Sequence, residues 1–290
     1  MSTGRPLLAV RVLTVPGTTA RQEGMRDVLG RARGLRGVDW AFFEAVTHEA
    51  AGLAYDERAA RAAGGRAMSP AELSCFASHI ALQREWLAGA ASDVFMVLED
   101  DVVLDPWFDF QGVARLACDA GLDYLRLYAR VAMPFRPLAY VARTQVVRFT
   151  WSPGGTQAFM VTRAGARRIV DAVAAGGRIV RPIDDLIDRA WEIGNPVYAL
   201  FPSPALELNM PTMIHGPDQA RQRDDRQAGL DAARAPGFAH RAVAKARALR
   251  ERVARRAHEA RLRRAEDGVA ARVRAFMEAP GFNHFQAADG

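Results

Sequence analysis

The sequence has only two cysteines and no long run of apolar residues. Cys75 and Cys118 are too few for a disulfide framework or a structural zinc site. No apolar run approaches the roughly 18 residues needed to span a bilayer. The apolar stretch 7–15 is interrupted by Arg11, and we interpret it as a first strand and not as a signal peptide. These absences predict a soluble, cytoplasmic protein.

Three common catalytic motifs are also absent. The sequence contains no Gly-x-x-x-x-Gly-Lys phosphate loop, no Gly-x-Gly-x-x-Gly turn after the first strand, and no Gly-x-Ser-x-Gly elbow. Each of these motifs positions a phosphate or a nucleophile through a particular backbone turn. The chain is therefore not an obvious kinase, dehydrogenase or serine hydrolase.

Charge is distributed unevenly along the chain, whose formal net charge is +6. Residues 241–264 carry ten basic and two acidic side chains, so this segment has a charge of +8 and the remainder has −2. From about residue 216 the composition shifts to Arg, Ala and Asp without strand signals. We therefore predict a catalytic domain at 1–215 and an Arg-rich helical extension at 216–290.

Strand and helix patterns alternate before that boundary. The clearest helix begins at Ser69, which forms the pattern of a capping box with Glu72. Residues 73–87 continue it with apolar side chains at helical spacing. The five apolar residues 94–98 then predict a strand that is buried on both faces. This alternation predicts an α/β fold with a mainly parallel sheet.

Three consecutive carboxylates, Glu99, Asp100 and Asp101, follow that buried strand. They repel one another and resist leaving water, so something positive must compensate them. Strand alternation predicts that Glu99 and Asp101 share one side while Asp100 points away. Such a pair at the carboxyl end of a strand suits Mg²⁺ or Mn²⁺. The alternative is a solvated strand-to-loop junction with no role.

Other candidate residues have ordinary structural explanations. His79 lies beside Ser78 in the capped helix, and a lone helical histidine is more often structural than a ligand. Asp184 and Asp185 stand at a predicted helix start, where N-terminal capping accounts for a carboxylate. His215 is isolated in the sequence and indicates nothing by itself.

Several blocks of the sequence, taken together, resemble glycosyltransferase family 25. This family includes lipopolysaccharide and lipooligosaccharide galactosyltransferases and the collagen galactosyltransferases. The family usually has a dense cluster of arginines after the first strand. In this chain only Arg21 and Arg26 match that cluster. The matching segments are FFEAV at 42–46, SHI at 78–80, LEDDV at 98–102, the stretch 155–170, and PIDDLI at 182–187.

The resemblance implies a nucleotide-sugar transferase with a Rossmann-like fold of the GT-A type and inverting chemistry. The usual donor would be UDP-galactose, the usual cofactor Mn²⁺ or Mg²⁺, and the acceptor a glycan of lipopolysaccharide or another cell-surface polysaccharide. Glu99 and Asp101 would hold the metal, with His215 as a further candidate ligand. Asp184 would be the general base, with Asp185 as the alternative. The implied donor-binding residues are Arg21, Ser78, His79, Asp100, Gly155 and Thr156.

Two other classes of function compete with this interpretation. A metal-dependent nucleotide-sugar hydrolase or phosphotransferase would use the same carboxylates without an acceptor glycan. A non-catalytic binding protein would act through the basic segment 241–264. Nucleic acid is disfavoured as its partner because the segment has no aromatic residues for stacking bases. Apolar residues at three- and four-residue steps predict instead a helix on an anionic membrane, at the inner face of the cytoplasmic membrane.

Overall fold

The computed structural model of the chain describes residues 7–89, 92–151, 153–208 and 238–279. The elements of the first part are β1 (Leu8–Thr14), α1 (Thr19–Arg31), a 3₁₀ helix (Arg33–Leu35), β2 (Asp39–Glu44), β3 (Ala54–Tyr55), α2 (Glu57–Gly64), α3 (Pro70–Ala88), β4 (Val94–Glu99) and β5 (Val102–Leu104). There follow α4 (Phe110–Ala120), β6 (Tyr124–Arg126), β7 (Phe135–Val141), β8 (Thr144–Phe149), β9 (Ala158–Thr162), α5 (Arg163–Gly176), β10 (Arg178–Ile179), α6 (Ile183–Asp188), α7 (Ala190–Ile193), β11 (Val197–Phe201), β12 (Ala205–Glu207) and α8 (Phe238–Glu278).

The centre of the fold is an eight-stranded mixed sheet in the order β2-β1-β4-β9-β6-β11-β8-β7. Six of its strands run in one direction, and β8 and β9 run in the other. Strand β1 pairs in parallel with both β2 and β4, so their carboxyl ends meet at one edge. The predicted α/β class, with strands mainly in one direction, is confirmed. The antiparallel β7–β8 hairpin was not predicted.

Strand β4 is buried on both faces, as its apolar run predicts. Met96 and Leu98 belong to the core on one face of the sheet, and Phe95 and Val97 to the core on the other. Helix α3 packs on the second face, where the ring of Trp86 stacks on Phe95 with centroids 4.9 Å apart. This packing fixes α3 relative to the end of β4.

The start of α3 is set by local hydrogen bonds that the sequence pattern predicted. The backbone N–H of Glu72 donates to Ser69 Oγ at 3.2 Å, and that of Ser69 donates to Glu72 Oε2 at 2.8 Å. Two of the otherwise unpaired N–H groups at the helix start are thereby satisfied. The predicted capping box is confirmed.

Helix α8 packs against the first face of the sheet with its C-terminal half. Val269, Val273 and Phe276 belong to the same core as Met96 of β4. These residues therefore form part of the main fold. The boundary predicted at residue 216 itself lies outside the described residues.

Ion pairs with β7 and β8 add to the attachment of α8. Arg148 of β8 is 4% exposed, and its guanidinium pairs with Glu259 at 2.8 Å and also with Glu266. Arg136 of β7 pairs with Glu266 at 2.9 Å.

Among the helices of the described ranges, none combines the length and apolarity needed to cross a membrane.

Candidate functional site

A cavity of about 350 Å³ lies at the carboxyl ends of β1, β2 and β4. Ligands bind at this edge in open α/β sheets because side chains and loops from several parallel strands converge there. The volume lies within the usual range for a small-molecule site. The residues predicted for the site that line the cavity are Arg21, Glu99, Asp100, Asp101, Gly155, Thr156 and Asp184.

Arg21 of α1 supplies positive charge to the consecutive acids. Its Nη1 lies 2.7 Å from Asp100 Oδ1 and 3.6 Å from Asp101 Oδ2. Thr14 Oγ1 donates to Asp100 Oδ2 at 2.7 Å. Asp100 lines the same cavity as its neighbours, so the expectation that it points away was wrong. The reason is that β4 ends at Glu99 and the next two residues form a turn, in which strand alternation no longer applies.

The negative charge of Asp101 is only partly compensated by Arg21, which lies 3.6 Å away. Burial, together with the neighbouring charge of Glu99, raises the pKa of Asp101 to about 7. Its Oδ1 is buried and has no hydrogen-bond partner within the described residues. A cation beside Asp101 would favour the ionised form and give this oxygen a partner. The residues present therefore fit a divalent cation.

Glu99 connects the cavity with the buried imidazole of His79. Thr156 Oγ1 donates to Glu99 Oε1 at 2.9 Å, and His79 Nε2 lies 3.5 Å from the same oxygen. Cys75 precedes His79 by one helical turn, and its Sγ lies within 4.8 Å of both ligand atoms. Cys75 lines the cavity, whereas His79 is fully buried and does not. The sequence could have indicated Cys75, because a spacing of four places both residues on one helix face.

Ser78, predicted as a donor-binding residue, lies away from the cavity. Its side chain is fully buried and does not line the cavity. Its Oγ accepts a hydrogen bond from the backbone N–H of Val46 at 2.9 Å. Ser78 therefore attaches the segment after β2 to α3.

The two acids at the start of α6 have different environments. Asp184 lines the cavity, and its Oδ2 accepts from the backbone N–H of Gly155 at 3.4 Å. Asp185 is 54% exposed, lies 3.7 Å from Arg181, and does not line the cavity. Only Asp184 of this pair is thus placed to meet a ligand in the cavity. His215 lies outside the described residues.

Arg130 and Glu207 also line the cavity, although no motif indicated them. Their side chains lie 3.8 Å apart, and Tyr128 Oη donates to Glu207 Oε2 at 2.5 Å. Glu207 reaches this edge because β12 pairs with β5, a contact between distant parts of the chain. Arg130 gives the cavity a second cationic side chain besides Arg21.

A buried arginine holds two segments of the cavity wall in place. Arg126 of β6 is 1% exposed and donates to the backbone carbonyls of Gly154, at 3.0 Å, and Gly155. It also pairs with Asp188, at the end of α6. Arg126 therefore links the glycine loop before β9 to the helix that carries Asp184.

The chain matches the family model described as Glycosyltransferase family 25 (LPS biosynthesis protein) over residues 15–187, more than half of its 290 residues. No curated protein sequence gives a significant match. One similar solved structure is described as "Crystal structure of a glycosyltransferase involved in the glycosylation of the major capsid of PBCV-1". Its TM-score is 0.37 at 9% identity, with 76% of this chain and 98% of that chain covered.

Proposed function

Because this chain belongs to glycosyltransferase family 25, we propose that it transfers a hexose, with UDP-galactose as the first candidate donor, to a glycan acceptor. The acceptor would belong to lipopolysaccharide or another cell-surface polysaccharide. The observation that carries the proposal is the convergence of Glu99, Asp101 and Asp184 on one cavity at the carboxyl edge of the sheet. Three carboxylates there provide for both a cation and a general base.

Glu99 and Asp101 are the residues that would hold a divalent cation. The unpartnered Oδ1 and the raised pKa of Asp101 support this assignment. When bound, Mn²⁺ or Mg²⁺ neutralises the charge on the departing diphosphate. Thr156 orients Glu99 through its hydrogen bond, and Arg21 holds Asp100 and Asp101 through ion pairs. Arg130 is available to pair with a phosphate oxygen.

Asp184 is the proposed general base. The acceptor hydroxyl passes its proton to a carboxylate oxygen of Asp184 as the acceptor oxygen bonds to the anomeric carbon and the bond to the diphosphate breaks. Inversion requires this base on the face of the sugar opposite the leaving group. The N–H of Gly155 orients the Asp184 carboxylate, and oxocarbenium character develops at the anomeric carbon during transfer.

A membrane-bound acceptor is supported by the exposed part of α8. Leu249 and Val253 are 59% and 58% exposed within the basic segment 241–264. Trp151 is also 59% exposed, and the guanidinium of Arg255 lies 4.6 Å from the centre of its ring. Basic residues beside exposed apolar ones are typical of helices that lie on anionic membranes. We therefore include a peripheral membrane location in the proposal.

A thermal-shift screen of nucleotide sugars, with and without Mn²⁺, tests the donor and the metal together. A ligand of the native state raises the melting temperature, so UDP-galactose with Mn²⁺ should give the largest shift. Release of UDP is then measured with and without acceptor glycans. Turnover that depends on an acceptor supports transfer, whereas equal turnover without any acceptor would identify the competing hydrolase.

A further inference from the structure

A cluster at the wall of the cavity contains three different metal-binding side chains. Cys75, His79 and Glu99 place one ligand atom each within 4.8 Å of one another. Cys75 and His79 are held on one face of α3, and Glu99 is the last residue of β4. All three therefore stand on regular elements whose packing is fixed by the core, which is the arrangement that a preorganised site requires.

The imidazole of His79 has no hydrogen-bond partner in the part of the chain that the structure describes. The side chain is fully buried, and neither ring nitrogen is paired within the described residues. A buried polar group without a partner is costly and calls for a ligand or another explanation. The separation of 3.5 Å between His79 Nε2 and Glu99 Oε1 is too long for a good hydrogen bond.

The separation of 3.5 Å between His79 Nε2 and Glu99 Oε1 is suitable for two ligand atoms of one metal ion. Ligand atoms about 2.0–2.3 Å from a tetrahedral zinc ion lie roughly 3.3–3.8 Å from one another. Because no separation in the cluster exceeds 4.8 Å, metal binding requires a contraction of at most about 1 Å, which is within the reach of a side-chain rotation. The Thr156 hydroxyl already orients Glu99 Oε1, as partners of metal ligands commonly do.

We propose that Cys75 Sγ, His79 Nε2 and Glu99 Oε1 form a binding site for a borderline-soft transition metal ion, with Zn²⁺ as the ion of choice. Sulfur and imidazole ligands select zinc over magnesium or manganese. The thiol proton of Cys75 leaves to solvent on binding. The thiolate and the carboxylate then balance the charge of the ion, so the site is neutral overall.

The site is open toward the cavity, because Cys75 and Glu99 both line it. Three protein ligands leave a fourth position for water or for an oxygen of a cavity ligand, as in catalytic zinc sites. Glu99 offers two oxygens, so Oε1 can serve this site while Oε2 remains for a cation beside Asp101. The zinc ion would also tie α3 to the end of β4.

Cobalt titration of the full-length, EDTA-treated protein tests the site without any nucleotide sugar. One equivalent of Co²⁺ should produce a near-ultraviolet thiolate-to-cobalt charge-transfer band, and one equivalent of Zn²⁺ should abolish it. Cys75→Ser should remove the band. Cys118→Ser is the matched control, since Cys118 is the other free cysteine and lies exposed on α4. The charge-transfer band should remain in this variant. Co²⁺ held only by Glu99 and Asp101 would give no thiolate band.

A second measurement avoids variants altogether. Native protein is treated with a maleimide, with and without Zn²⁺, and both cysteines are followed by mass spectrometry. Zn²⁺ should slow alkylation of Cys75 at least tenfold and leave Cys118 unchanged. Absence of the cobalt band in the wild type, its survival in Cys75→Ser, or equal alkylation of Cys75 with and without Zn²⁺ would each overturn the proposal. None of these results depends on the proposed sugar transfer.

Discussion

Arg126 and Asp188 form an ion pair in the interior, with 2.5 Å between Nη2 and Oδ1 and side chains that are 1% and 6% exposed. Removing two charges from water is costly, and such a pair persists where further hydrogen bonds satisfy both groups. For Arg126, the carbonyls of Gly154 and Gly155 accept hydrogen bonds from Nη1. The pair thereby connects the glycine loop to α6, the two segments that meet at Asp184.

Asp188→Asn should lower the free energy of unfolding by about 3–5 kcal/mol, because it leaves the buried charge of Arg126 without its partner. Urea unfolding measures this change. Asp27→Asn is the control, since Asp27 forms an exposed i,i+4 pair with Arg31. Its loss should cost no more than about 0.5 kcal/mol. Equal effects of the two substitutions would contradict a special role for the buried pair.

The stability of the metal-free protein should depend on pH through Asp101. The folded state keeps this proton up to a pKa of about 7, whereas the unfolded chain loses it near the ordinary value of 3.8. Stability therefore falls as the pH rises between these two values and stays low above them. In EDTA, Asp101→Asn should melt higher than the wild type at about pH 8, with a smaller difference at about pH 5. A difference that is the same at both pH values would refute this assignment.

Asp101→Asn should also abolish sugar transfer, and Glu99→Gln should reduce it strongly. Loss of a cation ligand beside the leaving diphosphate removes several kcal/mol of transition-state stabilisation. Initial rates are measured across a range of Mn²⁺ concentrations, after confirming that the variants melt cooperatively. Full activity of Asp101→Asn in excess EDTA would disprove the metal assignment.

Asp184→Asn should reduce turnover by roughly 10² to 10⁴-fold, the usual contribution of a general base, with donor affinity nearly unchanged. Turnover and donor binding are measured separately, by acceptor-dependent UDP release and by calorimetry. Asp185→Asn is the matched control, because Asp185 stands next in the chain but does not line the cavity, and its turnover should remain near normal. A parallel loss of donor affinity in Asp184→Asn would mean that the residue orients the sugar instead.

Binding to anionic vesicles should depend on the exposed arginines of α8. Arg250, Arg252 and Arg256 are exposed, and each basic residue near an anionic leaflet contributes about 1 kcal/mol. Their combined replacement by alanine should weaken co-sedimentation with anionic vesicles by about 10²-fold at low salt. Salt should have a similar effect on the wild type, because it screens the attraction.

The triple substitution is preferable to a truncation of α8, which would remove the core residues Val273 and Phe276. A control with the same loss of charge replaces Arg31, Arg58 and Arg115, which are exposed on other helices. This control should bind vesicles nearly as the wild type does. Equal weakening in both triple variants would show that net charge, and not the surface of α8, governs the attraction.

The sequence by itself determined those features that depend on neighbouring residues. The capping box of Ser69 and Glu72 starts α3 because both partners lie within one helical turn. The apolar run 94–98 required a strand buried on both faces, and three adjacent acids at its end required compensation. The order of the family blocks indicated a glycosyltransferase, which the family match confirms.

Only the tertiary structure decided which distant groups meet at the acids. Arg21 contacts Asp100, which lies 79 positions further along the sequence. Glu99 lies close to Cys75 and His79 because α3 packs beside β4. The same applies to α8, whose arginine-rich composition gave no sign that its C-terminal half completes a core. Local sequence patterns fix the hydrogen bonds within a turn or a strand. The packing of whole helices and strands fixes the contacts between these elements, and the chemistry of this site arises from such contacts.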